Sequence, residues 1–190
     1  DNDTAPSIAI NDVTIVEGVA TGFTVTLTGS SDVTCTFDWT TSNGTALAGA
    51  DYSSATSSGS IAGGGTTDTI NVTTLNDTIH EPDQTMTVTM SNPTNCTISD
   101  AAGVATITDN DAAPTLTIDD VAVTEGANAT FTVTQSAISE KNTTFDWTTV
   151  NGTATSPSDF TANSAAGEAI NAGATTATFT IVITDDKNTL

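Results

Sequence analysis

The segment Pro6-Ser7-Ile8-Ala9-Ile10-Asn11-Asp12-Val13 returns as Pro114-Thr115-Leu116-Thr117-Ile118-Asp119-Asp120-Val121, at an offset of 114 − 6 = 108. No other feature constrains the fold as much, because a repeat means one structural unit used twice. The same offset carries Glu17-Gly18 onto Glu125-Gly126, Phe37-Asp38-Trp39-Thr40-Thr41 onto Phe145-Asp146-Trp147-Thr148-Thr149, and Asn43-Gly44-Thr45-Ala46 onto Asn151-Gly152-Thr153-Ala154. It also sets Asp51-Tyr52 on Asp159-Phe160. One inserted residue then moves the offset to 109, which aligns Ile61 with Ile170 and Asn76-Asp77 with Asp185-Asp186. The expected division is residues 1–3 as the tail of a preceding repeat, 4–111 as repeat one and 112–190 as repeat two.

Within each copy the hydrophobic period is two, as in Phe23-Thr24-Val25-Thr26-Leu27 and Met86-Thr87-Val88-Thr89-Met90. One face of such a segment is apolar and the other is Thr, which predicts half-buried antiparallel strands. Turn-forming Gly, Asn and Asp clusters separate the runs at hairpin spacing, and no segment shows a helical period. Strands are expected near 7–15, 22–28, 33–41, 67–75, 84–91 and 103–108, with a short one near 45–54. The predicted fold class is all-β: tandem immunoglobulin-like antiparallel β-sandwiches, each of roughly 100 residues. Repeat two has no counterpart of 84–91 and 103–108 before Leu190. Its sandwich is expected to be incomplete, closed either by further chain or by strands added from another molecule.

The 23 Asp and Glu against two Lys and Arg give a formal charge of −21. Nucleic acid is excluded as an expected partner, because binding it requires cations to displace counterions from phosphates. Anionic membrane surfaces are disfavoured for the same reason, and no apolar run approaches the roughly 20 residues of a membrane span. Hydrophobic residues make up 36% and alternate in phase with Thr. That pattern favours a packed sheet over disorder.

Acids cluster at strand ends: Glu17, Asp51, Asp77, Glu81, Asp109 and Asp111 in repeat one, and Glu125, Asp159, Asp185 and Asp186 in repeat two. Loops of alternate hairpins gather at one pole of a sandwich. Two unit charges about 4 Å apart repel by about 4 kcal/mol at a protein surface, so five or six converging carboxylates would cancel most of a domain's stability unless a cation neutralised them. The only His is His80, and Cys35 and Cys96 lack close metal-site spacing. An oxygen-only donor set is Ca²⁺ chemistry; Mg²⁺ keeps more of its water, and Zn²⁺ favours nitrogen and sulfur.

The Glu-Gly after the first strand, Thr-Ala…Asp-Tyr after the Trp strand, Asn-Asp…Glu ahead of the sixth and the closing Ile-Thr-Asp-Asn-Asp together resemble the Calx-beta family over nearly the whole chain. The resemblance implies immunoglobulin-like sandwiches that bind Ca²⁺ at one pole. It implies ligands at Glu17, Asp51, Asp77, Glu81, Asp109 and Asp111, with the Ile79 carbonyl and Asn110 as helpers, and Glu125, Asp159, Asp185 and Asp186 as a partial second set. Asn76 departs from the acidic residue often seen there, and Asp1 and Asp3 would belong to a preceding repeat.

Trp39 and Trp147 share a face with Phe37 and Phe145, which reads as sandwich core. Cys35 and Cys96 read either as a disulfide within repeat one or as two buried thiols. His80 has no nucleophile motif beside it, so no catalytic site is expected. The implied role is a calcium-binding structural or adhesive spacer of a large extracellular or cell-surface protein. Its partners would be neighbouring Calx-beta repeats, and beyond them other copies of itself or a surface ligand. A filament subunit that completes repeat two by strand donation and a calcium-sensing module are the alternatives.

Overall fold

The structure is a computed structural model and describes residues 4–185, so Asp1, Asp3 and Asp186 lie outside the described residues. Two compact units emerge, one of residues 1–78 and 82–110, the other of 79–81 and 111–190. Repeats one (4–111) and two (112–190) are called the first and second modules below.

The first module is a sandwich of nine strands. These are β1 (Ser7–Ile10), β2 (Val13–Val16), β3 (Ala20–Thr28), β4 (Cys35–Asn43), β5 (Thr56–Ile61), β6 (Thr67–Thr73), β7 (Gln84–Thr94), β8 (Thr97–Asp100) and β9 (Ala102–Thr108). One sheet has the order β6-β3-β1-β8 and the other β2-β9-β7-β4-β5. The period-two residues of both sheets face inward. Ile8, Phe23, Val25, Ile70 and Val72 meet Phe37, Trp39, Met86, Val88 and Ile107 in one core. Cys35 and Cys96 are disulfide-bonded, across a sequence separation of 61.

The strand expected at 7–15 is two strands in two sheets. At the break, Asn11 and Asp12 replace ladder bonds with their side chains: Thr24 N–H donates to Asn11 Oδ1 at 2.6 Å, and Val104 N–H to Asp12 Oδ1 at 2.8 Å. Each carboxylate or amide oxygen satisfies a backbone donor that the crossing chain would otherwise orphan. β1 therefore pairs with β3 and, in parallel, with β8, whereas β2 pairs in parallel with β9. The expected strand at 45–54 is instead a loop with isolated bridges at Ala48 and Tyr52, and the strand lies further on, at Thr56–Ile61.

The second module has β10 (Leu116–Ile118), β11 (Ala129–Gln135), β12 (Thr143–Thr148), β13 (Ser164–Ile170) and β14 (Thr176–Ile181). Its sheets are β10-β11-β14 and β12-β13. These correspond to β1-β3-β6 and β4-β5 at the repeat offsets. Asp119 repeats the role of Asn11, accepting from Thr132 N–H at 2.7 Å. Phe179 stacks on Trp147, with ring centroids 4.1 Å apart, and on Phe131, at 5.4 Å.

Candidate metal centre

Strand register builds the acidic pole. β2 and β9 run parallel with Val16 opposite Thr108, so the next residue on each, Glu17 and Asp109, emerges at the same end. Antiparallel pairing of β3 with β6 sets Ala20 opposite Thr73 and delivers the loop carrying Asp77 and Glu81 to that end. Two groups result: Glu17 with Asp77 and Glu81, and Glu17 with Asp109 and Asp111. Within each, every residue offers a carboxylate oxygen within 4.8 Å of the others. His80 is in neither group; its Nδ1 lies 3.2 Å from the Asp111 carbonyl oxygen.

Glu17 belongs to both groups and is only 6% exposed. A buried carboxylate needs hydrogen bonds or a counter-charge, and Asn110 N–H supplies one bond, donating to Glu17 Oε1 at 3.2 Å. The side-chain amide of Asn110 donates to the Glu17 carbonyl at 3.4 Å and to Asn76 Oδ1 at 2.9 Å. Asn110 therefore acts as a brace for Glu17 and Asn76 through its N–H groups. Asn76 accepts that bond, a part that an acid could also fill.

Gly18 shows why Glu17 is followed by glycine. Its φ is +74°, and a Cβ there would fall 2.7 Å from Asn76 Cβ. Only glycine gives both the left-handed backbone and the approach. Thr74 is a site-supporting residue that the sequence reading missed. It is buried in phase with Ile70 and Val72, accepts from Val19 N–H at 3.0 Å and donates to the Val19 carbonyl at 2.6 Å, tying the end of β6 to the Glu17-Gly18 turn. A hydroxyl in register with two core aliphatics at a strand end was the available signal.

Asp51 and Asp159 join no three-carboxylate group among the described residues. Asp51 Oδ2 closes its own turn by accepting from Leu47 N–H at 2.5 Å, and Asp159 Oδ2 does the same with Thr155 N–H at 2.6 Å. The Thr155 N–H bond holds the Asp159 carboxyl below the usual carboxylate value of 3.8. Asn43 and Asn151 complete the turns, accepting from Ala48 and Ser156 N–H. The Asn-Gly-Thr-Ala…Asp motif thus recurs because it folds this loop.

In the second module Glu125 and Asp159 line an open depression of about 520 Å³, and Asp185 packs against Gly126 as Asn76 does against Gly18. The described residues there form no three-carboxylate group. Asp186 is outside them.

The Calx-beta domain model matches residues 1–113 and again 109–189. The chain belongs to the Calx-beta family. Among solved structures, its fold is similar to CBD12 from CALX1.2 (TM-score 0.54, 17% identity, 96% of this chain and 76% of that one). It is equally similar to the calcium binding domain CBD12 of CALX1.1 (TM-score 0.53, 19% identity, 94% and 76%). The apo form of the Calx CBD1 domain matches at TM-score 0.54 and 18% identity, over 57% of this chain and all of that one. No curated protein matches the sequence. At these identities the structural likeness speaks for the fold: two Calx-beta modules in tandem. The donor chemistry of the first module's pole suits calcium, since each grouped side chain offers oxygen and the central carboxylate is buried.

Proposed function

We propose that this Calx-beta tandem is a calcium-binding structural spacer of an extracellular or cell-surface protein, without catalytic activity, in which the ion is held by Glu17, Asp77, Glu81, Asp109 and Asp111. The convergence of these carboxylates on the buried Glu17 carries the reading. Bound calcium would neutralise their mutual repulsion. Asp109-Asn110-Asp111 is also the chain between the two repeats, so ligation there would stiffen the connection. Extracellular modules of this kind work at roughly 10⁻⁴–10⁻³ M calcium and cytosolic sensors at roughly 10⁻⁷–10⁻⁵ M.

The test is thermal unfolding as calcium is raised from chelator excess to ~10 mM, beside the Asp109→Asn variant. We expect the melting temperature to climb over the sub-millimolar to millimolar range, and less in the variant. A micromolar midpoint would favour the calcium-sensing alternative. A melting temperature indifferent to calcium would leave the pole as solvated turn chemistry.

A further inference from the structure

A β-sandwich under tension holds or gives way according to how its entry and exit strands pair. The chain enters the first module through β1 and β2 and leaves it through β8 and β9. These two stretches run side by side in the same direction: β1 pairs in parallel with β8 in one sheet, and β2 in parallel with β9 in the other. They also cross between the sheets beside one another. At the crossing Val104 N–H donates to Asp12 Oδ1 at 2.8 Å, and a Cβ on Gly103 would fall 2.6 Å from the Asn11 carbonyl oxygen.

Parallel pairing decides how a load is shared. Tension draws the entry strands toward their N-terminal end and the exit strands toward their C-terminal end. In a parallel pair these motions slide one strand along the other, so the evenly spaced ladder bonds stretch together; in an antiparallel pair they peel the bonds open one at a time. Further bonds span the same two interfaces. Ser99 Oγ donates to the Ile8 carbonyl and Thr108 Oγ1 to the Ile15 carbonyl, each at 3.1 Å. Backbone bonds close both ends, from Thr97 N–H to the Pro6 carbonyl at 2.9 Å and from Glu17 N–H to the Thr108 carbonyl at 3.1 Å. The Cys35–Cys96 disulfide joins the start of β4 to the residue before β8. Residues 36–95 are thereby bypassed by any load along the chain.

We propose that the first module is a tension-bearing element, in which load is carried as shear across β1–β8 and β2–β9 and Cys35–Cys96 is a stop that limits extension once those interfaces yield. The inference rests on the spacer reading only for why tension reaches the module. The interfaces use none of the grouped carboxylate side chains, so their strength is measurable without calcium.

The experiment holds the full chain at constant force in an optical trap, in chelator, with handles on the exposed residues Thr4 and Ala112. A second arrangement moves the first handle to the exposed Val19, at the same pole as Ala112, so that β2 and β9 are peeled apart from one end. Forced unfolding reads the unfolding rate, and we expect the folded lifetime at equal force to be at least tenfold longer in the first arrangement. Ser99→Ala with Thr108→Val should shorten that lifetime, whereas Thr40→Val, which removes the Thr40–Thr56 bond between β4 and β5, should not. The step on unfolding comes from 31 residues before the disulfide (35 − 4) and 16 after it (112 − 96). At about 3.6 Å each, less about 33 Å of folded length, it should measure about 140 Å. Cys35→Ser with Cys96→Ser frees all 108 residues (112 − 4), for a step of about 350 Å. Equal lifetimes in the two arrangements, or equal effects of the two sets of hydroxyl variants, would overturn the shear interface. A step of about 350 Å in the parent chain would overturn the stop, and that measurement stands even if the serine variant fails to fold. Either failure leaves calcium-dependent melting untouched, and a melt indifferent to calcium leaves these lifetimes untouched.

Discussion

Among the described residues the first module gathers its strand-end carboxylates into two groups, and the second gathers none. Both carry the Glu-Gly turn, the Trp strand and the Asn-Gly-Thr-Ala…Asp loop, but the second has only a partial set of the strand-end acids. The difference is β9. It holds β2 by parallel pairing, and its exit sets Asp109 beside Glu17. With no counterpart among the described residues, Glu125 lines an open depression. In the first module it is strand pairing that gathers the acidic groups at one pole. Smaller substitutions point the same way: the Thr74 clasp is replaced by Ile183, which bridges Phe160 but offers no hydroxyl.

The largest expected contrast comes from the disulfide. Only the first module has one, and a loop closed over 61 residues is worth about 4 kcal/mol by chain entropy. Cys35→Ser with Cys96→Ser should lower the first module's stability by that order, measured by amide exchange of β3 and β7, with β11 and β14 unaffected. Equal losses in both modules would mean that they unfold as one unit.

Calcium comes next. At a hundredfold excess over its dissociation constant it should stabilise the first module by about 2.7 kcal/mol. Glu17→Gln should abolish most of the gain, whereas Glu125→Gln should change nothing measurable. A calcium response that Glu125→Gln removes would show a working second site and break the comparison.

Gly18 and Gly126 offer a finer test. Both have positive φ, +74° and +77°, and an added Cβ would lie 2.7 Å from Asn76 in one and 3.1 Å from the Asp185 Cβ in the other. Alanine costs about 1–2 kcal/mol at either position through the backbone. The closer contact should make Gly18→Ala the worse of the pair and weaken calcium-dependent stabilisation as well. Urea midpoints of the two variants with and without calcium decide it.

Alternation made the sandwich class, the core face and most strands legible, because a period of two has no other structural reading over that length. It could not show β5, whose Thr-Ser-Ser-Gly-Ser-Ile has one core residue, or the four-residue β8, which pairs in parallel with a strand some 90 positions earlier. Nor could it show that Asn11 and Asp12 break one apolar run into two sheets, since both look like ordinary polar residues until their acceptors meet Thr24 and Val104. The acidic pole was visible as a set of strand-end carboxylates. Its membership depended on register: the parallel β2-β9 pairing gathers Glu17 and Asp109, while Asp51, just as well placed in sequence, accepts from the Leu47 amide and joins no such group among the described residues.

The smallest effect separates the Trp strands themselves. Asp38 accepts from Asn92 Nδ2 at 2.9 Å and Ser58 Oγ at 2.7 Å, whereas Asp146 accepts from Gly167 N–H at 2.8 Å. Asn92 lies on β7, so its bond exists only where the sheet is complete. That bond and then the Ser58 bond hold the Asp38 carboxyl below its ordinary 3.8. A folded-state value depressed in this way adds stability that is fully present above the unfolded value and is lost as pH falls through the folded one. Asp38→Asn should therefore lower the first module's urea midpoint slightly at pH 7, and the gap from the parent chain should close as pH drops below 3.8. A gap that persists in acid would mean that Asp38 acts through shape and not charge, and that β7 adds nothing electrostatic to the strand it covers.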